Sequence, residues 1–145
     1  MLEQLLKYIP QREPFLMLDG IQDETTDRVT TFKQLTGQED WFKGHFPGNP
    51  VMPGVLMCEA VFQTGAYLMA RRGEQAAGGK TAVVTRIQGA KFKNMAKPGD
   101  KLMITVDFVE MLANAAFMKG KVTVDDKTIM SIEFAAALVL SLIHI

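Results

Sequence analysis

The chain has 145 residues, 48% of them hydrophobic, and its sixteen Lys and Arg balance sixteen Asp and Glu. That length suits one domain with a real core, residues 1–145. Zero net charge argues against a bulk nucleic-acid binder, which would be strongly basic. A single cysteine, Cys58, excludes an intrachain disulfide framework and fits a reducing compartment.

No secretory pattern opens the chain, and no apolar run reaches the eighteen or so residues that a membrane span needs. The expectation is a soluble, cytoplasmic protein. Methionine is common, with ten; it fills irregular cores or lines adaptable apolar surfaces, and composition leaves both open.

Leu2, Leu5, Leu6 and Ile9 fall at helical spacing ahead of Pro10, which predicts a short surface helix over residues 1–8. Phe15 to Ile21 reads as a strand broken near Gly20, and Asp23-Glu24-Thr25-Thr26-Asp27 as a turn. Arg28 to Leu35, rich in Thr, Val and Phe, reads as a second strand. A helical turn is expected over Gln38 to Phe42.

Pro47, Pro50 and Pro53 each fix their own φ and push the preceding residue toward extended geometry. Residues 46–54 therefore cannot be helical throughout. A long helix follows from about Val55 to Arg72, ending at Gly73, with Arg71 and Arg72 suited to its C-terminal dipole. Residues 74–79, EQAAGG, read as a mobile loop.

The second half is nearly all strand. Thr81 to Ile87 is β-rich, and Lys97-Pro98-Gly99-Asp100 is a turn. Leu102, Ile104, Val106 and Phe108 repeat with period two. Ala115 to Val124 is a further strand, and Asp125-Asp126-Lys127 marks a hairpin. In the last strand Met130, Ile132, Phe134, Ala136, Leu138 and Leu140 share one face. The other face begins polar and turns apolar after Glu133, which points to cover by the helix or by another subunit. The sum is an α+β chain: one long helix and five to six mostly antiparallel strands.

The helix is apolar around nearly its whole circumference, the mark of a buried helix. Glu59 and Gln63 are the exceptions and lie four apart on one face. A buried carboxylate must be hydrogen-bonded, paired or protonated, and burial raises its pKa, which suits a general acid. The bland alternatives are a structural Glu–Gln hydrogen bond or a face exposed at a cleft. His45, between Gly44 and Phe46 just ahead of the prolines, is either a surface or core histidine or a base on a rigid mount. His144 invites no such argument.

Gly54 starts the helix, where free N–H groups and the dipole can meet a developing oxyanion; equally, Pro53-Gly54 merely turns the chain. No His/Cys/Asp cluster has metal-ligand spacing, and the proline-rich loop lacks GxxxxGK[ST]. Cys58 reads as a small buried residue. Lys91, Lys93, Lys97 and Arg86, with Arg71 and Arg72, read as solvated surface able at most to steer an acidic partner.

The run Gly44 to Gln63, GHFPGNPVMPGVLMCEAVFQ, resembles the signature of the (3R)-hydroxyacyl-acyl-carrier-protein dehydratases, specifically the FabZ type. Pro10-x-Arg12-x-Pro14-Phe15-Leu16-Met17-Leu18-Asp19, Lys91-Phe92 and Lys97-Pro98-Gly99-Asp100 extend the likeness over essentially the whole chain. The resemblance implies a hotdog fold, an antiparallel sheet wrapped around the central helix. It also implies a homodimer that commonly assembles into hexamers as a trimer of dimers.

By the same resemblance His45 and Glu59 are the catalytic pair, contributed by opposite subunits. Gly54 holds the thioester oxygen through its N–H, and Gln63 orients the carboxylate. Phe46, Pro53 and Val55 are expected in the loop or substrate tunnel, alongside Met and Phe side chains. No metal or redox cofactor is implied; the substrate arrives on the phosphopantetheine of acyl carrier protein.

The chain departs from the family at Gln11, where Pro-His-Arg is usual, at Lys91, where Arg is usual, and over Thr36 to Asp40. The expected reaction is dehydration to the trans-2-enoyl thioester in fatty-acid synthesis. Three alternatives stand beside it: a dehydratase or dehydratase/isomerase of a specialised lipid or polyketide pathway, a hotdog thioesterase, and a non-catalytic acyl-carrier-binding homologue.

Overall fold

The period-two run predicted in the second half folds as read: Leu102, Ile104 and Val106 are fully buried along one face of a strand. The computed structural model describes residues 2–73 and 80–140. The EQAAGG loop and His144 lie outside the described residues, as do the side chains of Thr81 and Leu140.

In chain order the elements are α1 (Leu2–Tyr8), β1 (Gly20–Glu24), β2 (Arg28–Gln34), α2 (Trp41–Gly44), α3 (Gly54–Arg71), β3 (Lys80–Phe92), β4 (Lys101–Leu112), β5 (Ala115–Val124) and β6 (Lys127–Leu140). The six strands form one antiparallel sheet in the order β1-β2-β4-β5-β6-β3. Helix α3 packs across β2, β4 and β5, which is the α+β hotdog arrangement.

Turn chemistry sets the register. Asp125 and Asp126 close β5 onto β6 with φ of 49° and 65°, the paired left-handed geometry of a tight hairpin that Asp tolerates. Asp100 N–H donates to the Lys97 carbonyl at 3.0 Å, and Gly99 takes φ 93° in that turn. On the inner face Met130, Ile132, Phe134, Ala136 and Leu138 of β6 are buried, as the alternation predicts.

Two expectations shift. Phe15 to Leu18 do not extend β1, which begins at Gly20. Their backbone is drawn elsewhere: Phe15 and Leu16 N–H donate back to the Arg12 carbonyl, and Met17 N–H donates to a helix side chain, Gln63 Oε1. The predicted turn at Gln38 to Phe42 closes where the Phe42 N–H donates to the Glu39 carbonyl at 3.1 Å, and it runs on past Phe42 as α2. The Glu39 carboxylate ties down the approach, accepting from the N–H groups of Thr36 and Gly37 and from the Thr36 hydroxyl. Burial alone would raise that carboxyl, yet these donors hold it below the usual range.

Helix α3 approaches the sheet closely. A β-carbon on Gly120 of β5 would lie 2.3 Å from Val61 Cγ1, so glycine is what lets the two elements meet. Thr31 and Thr64 share a buried hydrogen bond of 2.8 Å between β2 and α3. Arg71 and Arg72 are not loose surface charges. Arg71 pairs with Glu24 at 2.7 Å and donates to the carbonyls of Thr25 and Thr26, while Arg72 pairs with Asp27 and stacks over Phe108. Together they pin the C-terminal end of α3 to the β1–β2 turn.

Met57, Met69, Met118 and Met130 are core residues, so the abundant methionine serves packing in large part. No described helix is long and apolar enough to cross a membrane.

Candidate active site

The proline loop fixes an imidazole. α2 ends at Gly44, and His45 N–H donates to the Trp41 carbonyl at 3.0 Å. The chain then turns through Phe46 in the left-handed region at φ 57°, a conformation that crowds a β-carbon and costs about 1–2 kcal/mol. Asn49 N–H closes that turn on the Phe46 carbonyl, and Met52 N–H ties the loop to the Ala96 carbonyl, both at 2.8 Å.

His45 Nδ1 lies 2.8 Å from the Val51 carbonyl oxygen. A carbonyl only accepts, so Nδ1 carries the hydrogen and the neutral ring presents a bare Nε2. The loop therefore selects the tautomer that a base requires.

The carboxylate is held as firmly. Gln63, fully buried, donates from Nε2 to Glu59 Oε2 at 3.0 Å and to the Phe15 carbonyl at 2.9 Å. Its Oε1 accepts the Met17 N–H at 2.9 Å, so the whole amide is used. Burial pushes the Glu59 carboxyl up from the ordinary range, and the Gln63 hydrogen bond only partly opposes it.

Glu59 faces a cavity of about 470 Å³, within the range of small-molecule sites. The phenylalanines Phe15, Phe62 and Phe134 supply its aromatic wall. Ala66, Ala82 and Ala136 leave the room, since a larger side chain at any of them would fill it. Glu59 and Gln11 are the polar residues among its lining, and no described methionine lines it.

Gly54 heads α3 directly after Pro53. Leu56 and Met57 N–H both bond to the Pro53 carbonyl, which leaves Gly54 and Val55 at the open positive end of the helix. The ring of Phe92 covers the glycine: a β-carbon there would meet Phe92 Cε1 at 2.9 Å. The absent side chain thus admits Phe92, a contact that spacing alone did not reveal.

Glu59 and Gln63 come together, and Gly54 heads their helix, but His45 does not line the Glu59 cavity. Phe46 and Val55 stand out into solvent, 62% and 75% exposed. Gln11 is a cavity residue that sequence reasoning noted only as a departure; burial of its carbonyl oxygen was not legible there. Cys58 is half-buried and its thiol is pushed up by burial. Among the described residues no group of three or more His, Cys, Asp or Glu gathers as a metal site.

Residues 9–133 match the family model described as a FabA-like domain. Three curated relatives are each named 3-hydroxyacyl-[acyl-carrier-protein] dehydratase FabZ. That of Caulobacter vibrioides is 40% identical over 94% of this chain and 86% of its own. That of Syntrophomonas wolfei is 41% identical, covering 94% of both. That of Bacillus subtilis is 38% identical over 94% of this chain and 96% of its own. Among solved structures, the dehydratase heterocomplex ApeI:P from Xenorhabdus doucetiae superposes with a TM-score of 0.78 at 12% identity, covering 92% of this chain and 89% of that one. The PH1136 protein from Pyrococcus horikoshii gives 0.69 at 13% identity over 91% of each chain. At such identities these two likenesses concern the fold alone.

Proposed function

The chain belongs to the FabA-like family and is of the FabZ dehydratase type, and from that premise we propose that a pair of these chains builds a site from His45 of one subunit and Glu59 of the other. It is a hydro-lyase that dehydrates 3-hydroxyacyl-acyl-carrier-protein in fatty-acid biosynthesis. The substrate is the (3R)-alcohol and the product the trans-2-enoyl thioester.

His45 Nε2 takes the proton at C2, next to the thioester carbonyl. The N–H of Gly54 at the helix's positive end stabilises the enolate-like oxygen. Glu59, whose burial favours the protonated carboxyl, delivers its proton to the C3 hydroxyl, which departs as water while the C2–C3 double bond forms. Gln63 holds that carboxyl in place.

The observation that supports this reading is a carboxyl with a raised pKa facing an apolar cavity, in a chain whose proline loop separately holds one histidine in a single tautomer. The proposed reaction draws on these side chains and the Gly54 N–H, with the acyl chain brought on the phosphopantetheine of acyl carrier protein. Lys91, Lys93 and Lys97 can steer that acidic carrier.

The open apolar surface supports the homodimer. Phe15 and Ile87, on the rim of the Glu59 cavity, are 50% and 53% exposed, and Phe46 projects beside His45. A second copy would cover these surfaces, and trimers of such dimers give the hexamer. Residues 1–145 act as one unit in the cytoplasm, with neither nucleic acid nor membrane as partner.

The test is dehydration of 3-hydroxyacyl carriers of C4 to C16 by wild type and His45→Ala, with product analysis for enoyl thioester, 3-enoyl isomer and free acid. Enoyl product from wild type and none from a folded His45→Ala supports the reading. Free acid as the product would replace it with a thioesterase.

A further inference from the structure

Gln11 presents an acceptor that the protein leaves unused. Its side-chain Oε1 is buried and has no donor within hydrogen-bond distance among the described residues. Gln11 lines the same cavity as Glu59, among walls that are otherwise apolar. Its backbone is not free to swing away. Arg12 Nη1 donates to the carbonyls of Ile9 and of Gln11 itself, at 2.7 and 2.9 Å, and Arg12 Nη2 donates to the Leu6 carbonyl at 2.9 Å. An acceptor buried without a donor is costly, so the molecule that fills the cavity has reason to supply one.

The reaction proposed above identifies the donor, and the inference rests on that reading. For Glu59 to act as the acid, the C3 hydroxyl oxygen must accept from the Glu59 carboxyl. The hydroxyl's own hydrogen then points away from Glu59 and needs a different acceptor. The rest of the wall, among the described residues, is hydrocarbon: Phe15, Phe62, Val84, Ile87 and Phe134 offer no acceptor side chain. We propose that Gln11 Oε1 accepts the hydrogen bond of the substrate's C3 hydroxyl, turning its lone pair toward Glu59.

The step balances. The C3–O bond breaks, and its electron pair leaves with oxygen. That oxygen takes the Glu59 proton and becomes water, while the C2 proton goes to the base. The departing water carries two hydrogens. The ionised Glu59 accepts one, and Gln11 Oε1 keeps the other, so the leaving group is never without acceptors in an apolar cavity.

The experiment uses the full chain carrying Gln11→Met, which keeps the length and apolar volume but removes the acceptor; Gln11→Leu is the second variant should the first fail to fold. Two quantities are read: kcat/KM for a 3-hydroxyacyl thioester, and the inhibition constant of the saturated acyl thioester of equal length, which has no hydroxyl. The expected result is a loss of about ten- to a hundredfold in kcat/KM, with the inhibition constant of the saturated ligand unchanged within about twofold. Unchanged kcat/KM overturns the proposal. So does an equal weakening of both ligands, which would make Gln11 a shaper of the cavity or a contact for a second copy. If wild type itself dehydrates no 3-hydroxyacyl thioester, the functional reading fails and Gln11 is not what was tested.

Discussion

Gln63 Nε2 stands 3.0 Å from Glu59 Oε2, one helical turn along α3, and the same buried amide also grips the Phe15 carbonyl and the Met17 N–H. One side chain thus fastens the segment before β1 to the helix and aims the carboxyl. Gln63→Met would strand two backbone groups, which predicts a loss of about 2–4 kcal/mol in stability. It would also remove the bond that lowers the Glu59 carboxyl, letting burial raise it further. Since the acid must be protonated, the alkaline limb of the kcat–pH profile should move to higher pH. A folded variant with an unmoved limb would separate Glu59 from the acid role.

Glu59→Gln should cost activity and gain stability together. Without an acid, dehydration should fall about 10²–10⁴-fold. The stability sign follows from burial: the folded Glu59 holds its proton more tightly than the unfolded chain does. Stability therefore falls as pH rises from the unfolded carboxyl's pKa through the higher folded one. The amide escapes that penalty. Thermal melts should show little difference between variant and wild type in acid below the unfolded pKa, and a higher Tm for Glu59→Gln at pH 8. A lower Tm at pH 8 would mean that the ionised carboxylate has a stabilising partner.

The sharing of the site between subunits has its own test. His45→Ala and Glu59→Gln should each be inactive alone, and mixing them under conditions of subunit exchange should restore roughly a quarter of wild-type activity. The fraction follows from symmetry: half of the dimers are mixed, and one of the two sites in each has both native groups. No recovery after exchange is verified by mass would place both groups in one chain.

What the sequence made legible is what local pattern controls. Alternation placed Leu102, Ile104 and Val106 in the core, and the Asp125-Asp126 turn paired β5 with β6. Pro53 and Gly73 bracketed α3 closely. The Glu59–Gln63 spacing of four predicted a shared face, and the two side chains do bond. Long-range partners were not legible. Nothing near Met17 announces that its N–H is taken by a helix residue 46 positions away, which is why local pattern starts the first strand before Gly20. Likewise Arg71 and Arg72 looked like surface charge until folding brought the β1–β2 turn to them. The Phe92 ring over Gly54 and the buried oxygen of Gln11 belong to the same class, contacts made only by the finished fold.

Two glycines should separate stability from catalysis. Gly120→Ala would push a β-carbon to 2.3 Å from Val61 Cγ1, on a β-branched side chain fixed in the fully buried interface of α3 and β5. Neither partner can turn aside, so the helix and sheet must part; overpacking of this kind costs about 1–3 kcal/mol. Gly54→Ala meets the Phe92 ring at 2.9 Å, but that ring is 51% exposed and can swing out. Its Tm should therefore fall less than that of Gly120→Ala. Activity should rank the other way. The new methyl sits beside the N–H proposed to hold the thioester oxygen, and loss of one such donor costs about 10²–10³ in kcat, whereas Gly120 lies outside the cavity. Paired melts and steady-state rates check the ranking; Gly54→Ala with full activity would remove that N–H from the oxyanion role.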